Sequence, residues 1–208
     1  MSLFAVLGLP CLTAFIVAAG GKIPGSGSSL SRGSAAVQFL KGFFYAIPCL
    51  VVMLLLRRYM PLSYRGFPLY MFFLLGDHLF PVVFLVVLYF FAYARGSYVE
   101  LLLFGGGLYS LVGLIEVLTR FGQYESYHLF LLPLVRMSVL LFLTIFFLRY
   151  QEWYGAVRVL FLILLICLPF LGAAVSYLYM KALVFWAALS AALLFLASLV
   201  YTFAEREA

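Results

Sequence analysis

FPLYMFFLLGDHLFPVVFLVVLYFFAY, residues 67–93, is the stretch on which the reading of this chain turns. It is a run of Phe, Leu and Val longer than the about 20 residues that a perpendicular bilayer crossing needs, so it should tilt or kink. One third of the way along, it is interrupted by Gly76-Asp77-His78 and then Pro81. An acid inside lipid is costly, so Asp77 must face a partner or a water-filled space. Pro81 has no N–H to offer the carbonyl four residues back, which is that of Asp77 itself. The acid therefore stands where the helical ladder is already interrupted.

The rest of the chain repeats this pattern with less polarity. Of its 208 residues 67% are hydrophobic and 10% charged, and the mean hydropathy is +1.20. A soluble domain carries about 25% charged residues. These polar groups are too few to cover a water-facing surface, and the apolar runs have helical rather than barrel-strand length. The expectation is an all-α integral membrane protein, one polytopic domain over residues 1–208, built as a single bundle of six to seven transmembrane helices with several proline kinks. The spans are expected at 3–19, 36–56, 67–93, 98–119, 128–148, 156–177 and 183–201. The count falls to six if the first segment is cleaved after Ala18-Ala19-Gly20 or is re-entrant. Without a basic leader it reads as a retained helix.

Residues 20–34 (GGKIPGSGSSLSRGS) form the longest polar stretch and read as a linker. The spacing of a phosphate-binding loop is missing, and no strand precedes it. The net charge of +6 comes from basic residues scattered singly at the ends of apolar runs. That is interfacial anchoring and carries no nucleic-acid footprint. Placing the N-terminus outside and the C-terminus inside a cell membrane puts seven of the thirteen basic residues on the inner side, and the positive-inside rule favours this orientation. The Arg57-Arg58-Arg65 loop opposes it. Cys11, Cys49 and Cys167 each stand inside an apolar run and read as packing residues. No metal cluster or cofactor is expected.

Depth organises the polar residues. Spans three, four and five meet one membrane side at Phe67, Thr119 and His128. Asp77 is about 15 Å and Arg136 about 12 Å below that side, at about 1.5 Å of rise per residue. Glu116 lies about one turn below it. Gly106, Tyr109, Gly113 and Glu116 share one helical face, which should be turned toward protein. Substrate contact is therefore expected at Asp77, His78, Tyr109, Glu116, His128 and Arg136, in a cavity open to one leaflet. Arg136 would be the anion contact, with Asp77 as its buried partner, while Glu116 would pair with Arg120 four residues on. Asp77 and His78 would orient a solute or carry protons, and they are also the candidate catalytic residues.

Two short segments resemble known families. Gly76-Asp77-His78-Leu79-Phe80-Pro81 resembles the Gly-His-x-x-Pro segment of small membrane glycerol-3-phosphate acyltransferases, which would imply acyl transfer to a phosphate-bearing substrate. That family's phosphate loop and Ser-Gly-Asn motif are absent, and Val82-Val83-Phe84-Leu85 follows instead, so the six-residue match assigns no family. Ala14-x-x-x-Ala18 before a Gly/Ser loop resembles the substrate-binding subunits of energy-coupling-factor vitamin transporters. That resemblance implies a small helical bundle docked to an energising partner. Three functions follow as expectations. The first is a small transporter or the substrate-binding subunit of one, taking a small polar or anionic ligand. The second is a membrane enzyme on a lipid or lipid-linked phosphate. The third is a non-catalytic subunit that stabilises a membrane-protein partner through Ala14, Ala18 and the Gly105, Gly106 and Gly113 faces.

Overall fold

The computed structural model describes residues 32–59, 66–92, 97–119 and 127–204. All its regular structure is helical: α1 (Arg32–Tyr59), α2 (Gly66–Phe73), a π-helical segment (Leu74–Leu79), α3 (Phe80–Ala92), α4 (Tyr98–Thr119), a second π segment (Tyr127–Leu131), α5 (Leu132–Glu152), α6 (Gly155–Met180) and α7 (Val184–Ala204). Among the described residues six helical stretches are long and apolar enough to cross a membrane, with α2, the first π segment and α3 forming one of them. The protein is a membrane-embedded helical bundle. The expected first span and most of the linker lie outside the described residues, as do Ala14, Ala18, Arg120 and Cys11. Arg32 to Ser34, expected in the linker, already belong to α1.

Burial sorts the helices. The spans on α4 and α5 are the most enclosed and α7 the least. Leu101, Leu102, Leu108, Leu140, Leu141 and Leu143 on the two central helices have no exposed surface. The outer helices turn Phe44, Val51, Leu160, Ile166, Leu193 and Val200 outward. A contiguous apolar exterior of this kind suits hydrocarbon and would not suit water. Cys49 is buried with its Sγ 3.9 Å from Met53 Sδ, while Cys167 is on the exterior.

Small residues set the closest crossing, where α1 packs against α4. A Cβ on Gly42 would strike the carbonyl oxygen of Phe104, and one on Gly107 would strike that of Phe39. Gly105 faces the other way, against Leu140, Leu85 and the Tyr89 hydroxyl, which donates to the Leu101 carbonyl at 2.6 Å. Gly105 and Gly106 are buried inside the chain's own bundle. Of the glycines expected to offer a face to a partner, these two are used in intrachain packing, and Gly113 is half-buried.

Four serine and threonine hydroxyls inside the spans are satisfied on their own helices, as a medium without water demands. Ser110, Ser138, Thr144 and Thr202 each donate to the carbonyl four residues back, at 2.6 to 2.9 Å. Ser97 caps α4 in a reciprocal box with Glu100, accepting from the Glu100 N–H at 3.4 Å and donating its own N–H to Glu100 Oε2 at 2.9 Å. Between α6 and α7 the chain turns through Lys181 and Ala182. Leu183 N–H bonds Leu178 O and Ala182 N–H bonds Tyr179 O, the paired closure of a Schellman turn.

Candidate functional site

Each of the two π segments ends two residues before a proline, Pro81 in one case and Pro133 in the other. The N–H that proline lacks disturbs the α-ladder upstream, and π winding is one way to accommodate that disturbance within a continuous helix. His-Leu-Phe recurs at both, running from the first π segment into α3 at 78–80 and lying within the second at 128–130, a shared signal that a comparison of pre-proline stretches could have found.

The first π segment holds Asp77 and His78, and the second holds Tyr127 and His128. Asp77, His78, Glu116 and Arg136 are exposed by only 1%, 3%, 7% and 3%, so four ionisable side chains are sealed inside an apolar bundle. Tyr109 is equally buried. The His128 side chain, Tyr124 and Glu125 lie outside the described residues.

Arg136, on α5, forms a two-pronged ion pair with Glu116 on α4: Nη1 to Oε2 at 2.5 Å and Nη2 to Oε1 at 3.1 Å. The expected partner of Arg136 was Asp77 and that of Glu116 was Arg120, which lies outside the described residues; the structure joins Arg136 and Glu116 to each other. Both Arg136 and Asp77 had been counted down from the same membrane side, but depth alone does not say which helix faces which. Direct packing of α4 on α5 brings Glu116 to the guanidinium, whose planar fork matches a carboxylate's two oxygens. The charge on Arg136 also reaches the hydroxyl of Tyr109 and the thiol of Cys49. Arg136 thus stands between α1, α4 and α5.

His78 takes a different partner. Its Nε2 is 2.8 Å from Ser176 Oγ on α6. The Tyr127 hydroxyl donates to the same oxygen at 2.6 Å, and Ser176 donates to the Gly172 carbonyl at 3.1 Å. The imidazole lies against Gly172, where a Cβ would come within 2.6 Å of Nδ1. Tyr127 is held in place by the rings of Phe73 and Tyr179, at centroid distances of 5.9 and 5.3 Å. Its hydroxyl feels the charges of Asp77, Arg136 and Glu116, so the ion pair and the hydroxyl chain are parts of one cluster.

Sequence reasoning missed Ser176 and Tyr127. Ser176 is one more hydroxyl in an apolar run, and 98 residues separate it from His78. Among the described residues no group of three or more His, Cys, Asp or Glu side chains could hold a metal ion. No known protein family, curated protein or solved structure matches the chain.

Proposed function

We propose that this protein is a small membrane transporter, or the substrate-binding membrane subunit of one, and that the buried cluster handles a small polar or anionic solute. The observation that carries the reading is the Arg136–Glu116 pair, enclosed within the bundle, with Arg136 five residues past the end of the second π segment. Intramembrane ionisable groups commonly mark solute or proton paths, and π turns often accompany functional sites. A carboxylate or phosphate solute presents the same pair of oxygens to Arg136 that Glu116 presents, so solute and Glu116 would compete for one fork. Exchange between the two would couple solute arrival to the α4–α5 contact. The cell membrane is the proposed location, with the N-terminus outside.

Purified protein in lipid nanodiscs, titrated with a panel of small carboxylates and phosphate esters, tests this. Binding by wild type and its loss in Arg136→Ala are expected. Equal binding by the variant, or no binding across the panel by wild type, removes the proposal.

A second reading, a membrane enzyme on a lipid-linked substrate, is favoured by one observation: Ser176 Oγ and His78 Nε2 are within hydrogen-bond reach, as a nucleophile and its base would be. Incubation of lipid extract with wild type and Ser176→Ala, followed by mass spectrometry, separates the two readings. Identical lipid profiles rule out the enzyme.

A further inference from the structure

One buried oxygen touches both π segments. Ser176 on α6 is 1% exposed. His78 of the first segment places Nε2 2.8 Å from its Oγ, and Tyr127, the first residue of the second segment, donates its hydroxyl to the same atom at 2.6 Å. Ser176 is tied in turn to its own helix, through the Gly172 carbonyl at 3.1 Å. The fit around this oxygen is close. The imidazole rests against Gly172, and the Tyr127 ring packs on both Phe73, the residue just before the first segment, and Tyr179 of α6. About one turn before the first segment, Tyr70 donates to the Phe170 carbonyl at 3.2 Å and meets the Tyr177 ring edge-on. One stretch of α6 thus holds both π-bearing spans.

We propose that Ser176 is a latch shared by the two π segments, holding both wound against α6 so that they open together. Bonds that meet at one hydroxyl polarise one another, so losing one weakens the rest. Withdrawal of Tyr127 from the oxygen therefore loosens its hold on His78, and the reverse. The segments are places where winding can change. A π turn holds more residues than an α turn, and absorbing one residue into α winding rotates the helix beyond it by about 100°. Such a change in the first segment would re-aim Asp77 and His78, which lie within it. In the second it would turn the start of α5, where Arg136 stands five residues past the segment's end. The latch thereby bears on the Arg136–Glu116 contact. If the protein is a transporter, the two segments are its moving joints, but the latch itself does not depend on that reading.

Amide hydrogen–deuterium exchange of the full chain in nanodiscs, read by mass spectrometry on peptides covering 74–79 and 127–131, tests this, because exchange at a protected amide follows its local opening. Tyr127→Phe keeps the ring and removes the hydroxyl. It should speed exchange about fivefold, as for one lost hydrogen bond, in its own segment and in 74–79 as well. Ser176→Ala should speed both segments, and adding Tyr127→Phe to it should bring no further increase at 74–79. Peptides from 99–112 in α4 should exchange as in wild type. If Ser176→Ala does not fold, Ser176→Cys takes its place, since a thiol bonds more weakly than a hydroxyl on a similar frame. Faster exchange confined to 127–131 in Tyr127→Phe overturns the latch. So does an undiminished further rise at 74–79 when Tyr127→Phe is added to the Ser176 variant, or a rise throughout the chain. These measurements need no solute. A failed latch leaves the transport reading standing, and a working latch with no solute bound from the panel would sink that reading alone.

Discussion

Arg136 on α5 closes on Glu116 of α4 through two parallel hydrogen bonds, 2.5 and 3.1 Å long, with side chains only 4% and 9% exposed. Each charge is tolerable there because of the other. Taking either ion out of water alone would cost several kcal/mol.

Glu116→Gln and Arg136→Gln should therefore each destabilise the protein by about 3 to 5 kcal/mol, and the double substitution should recover much of that loss. Denaturation in detergent followed by circular dichroism measures the cycle. Additive losses at 116 and 136 would contradict the pairing. The Arg149–Glu152 pair is an internal contrast: its side chains are 26% and 58% exposed, and breaking it should cost less than about 1 kcal/mol.

Gly107→Ala should destabilise by about 1 to 3 kcal/mol or more, through overpacking. The new methyl group meets the Phe39 carbonyl, and backbone cannot swing aside as a long side chain can. Gly66→Ala is the complementary case. Among the described residues no atom beyond its chain neighbours lies within 4 Å of its Cβ position, but its φ of +60° is left-handed, so the loss expected there is conformational. Comparable yield and thermal stability of wild type and Gly107→Ala would refute the close crossing.

Ser176→Ala and Tyr127→Phe should each cost about 1 kcal/mol, a typical net value for a lost hydrogen bond. Together they should cost less than the sum, because the two changes remove the same 2.6 Å bond. Thermal denaturation of the two single variants and the double variant gives the coupling. A strictly additive result would mean that the two hydroxyls do not meet.

Ala182 holds a φ of 61° at the Schellman turn between α6 and α7, a conformation in which an alanine Cβ is crowded. Ala182→Gly should stabilise by roughly 0.5 to 1 kcal/mol, since glycine adopts this conformation without that penalty. An unchanged or lower midpoint in thermal denaturation would count against the turn.

Hydropathy was sufficient to locate six spans to within a few residues, because an apolar run of bilayer length has few other uses. The expected 98–119 span and α4 coincide. Gly20 to Ser34 was read too generously as linker, since Arg32 to Ser34 begin α1. The π winding before Pro81 and Pro133 was legible only as an interruption: proline announces the missing N–H, and the surrounding packing selects how the ladder absorbs it.

By itself, then, the sequence determined that the chain is a helical membrane protein, because apolar run length and charge scarcity are properties of the solvent it must match. It also singled out Asp77, His78, Glu116 and Arg136 as polar groups in apolar surroundings. Which of them meet was decided only by tertiary structure. A residue's depth follows from counting along one helix, whereas a partner depends on how two helices are rotated and which others lie beside them. That rotation, and nothing local, gave Arg136 to Glu116 and brought Ser176 of α6 to His78.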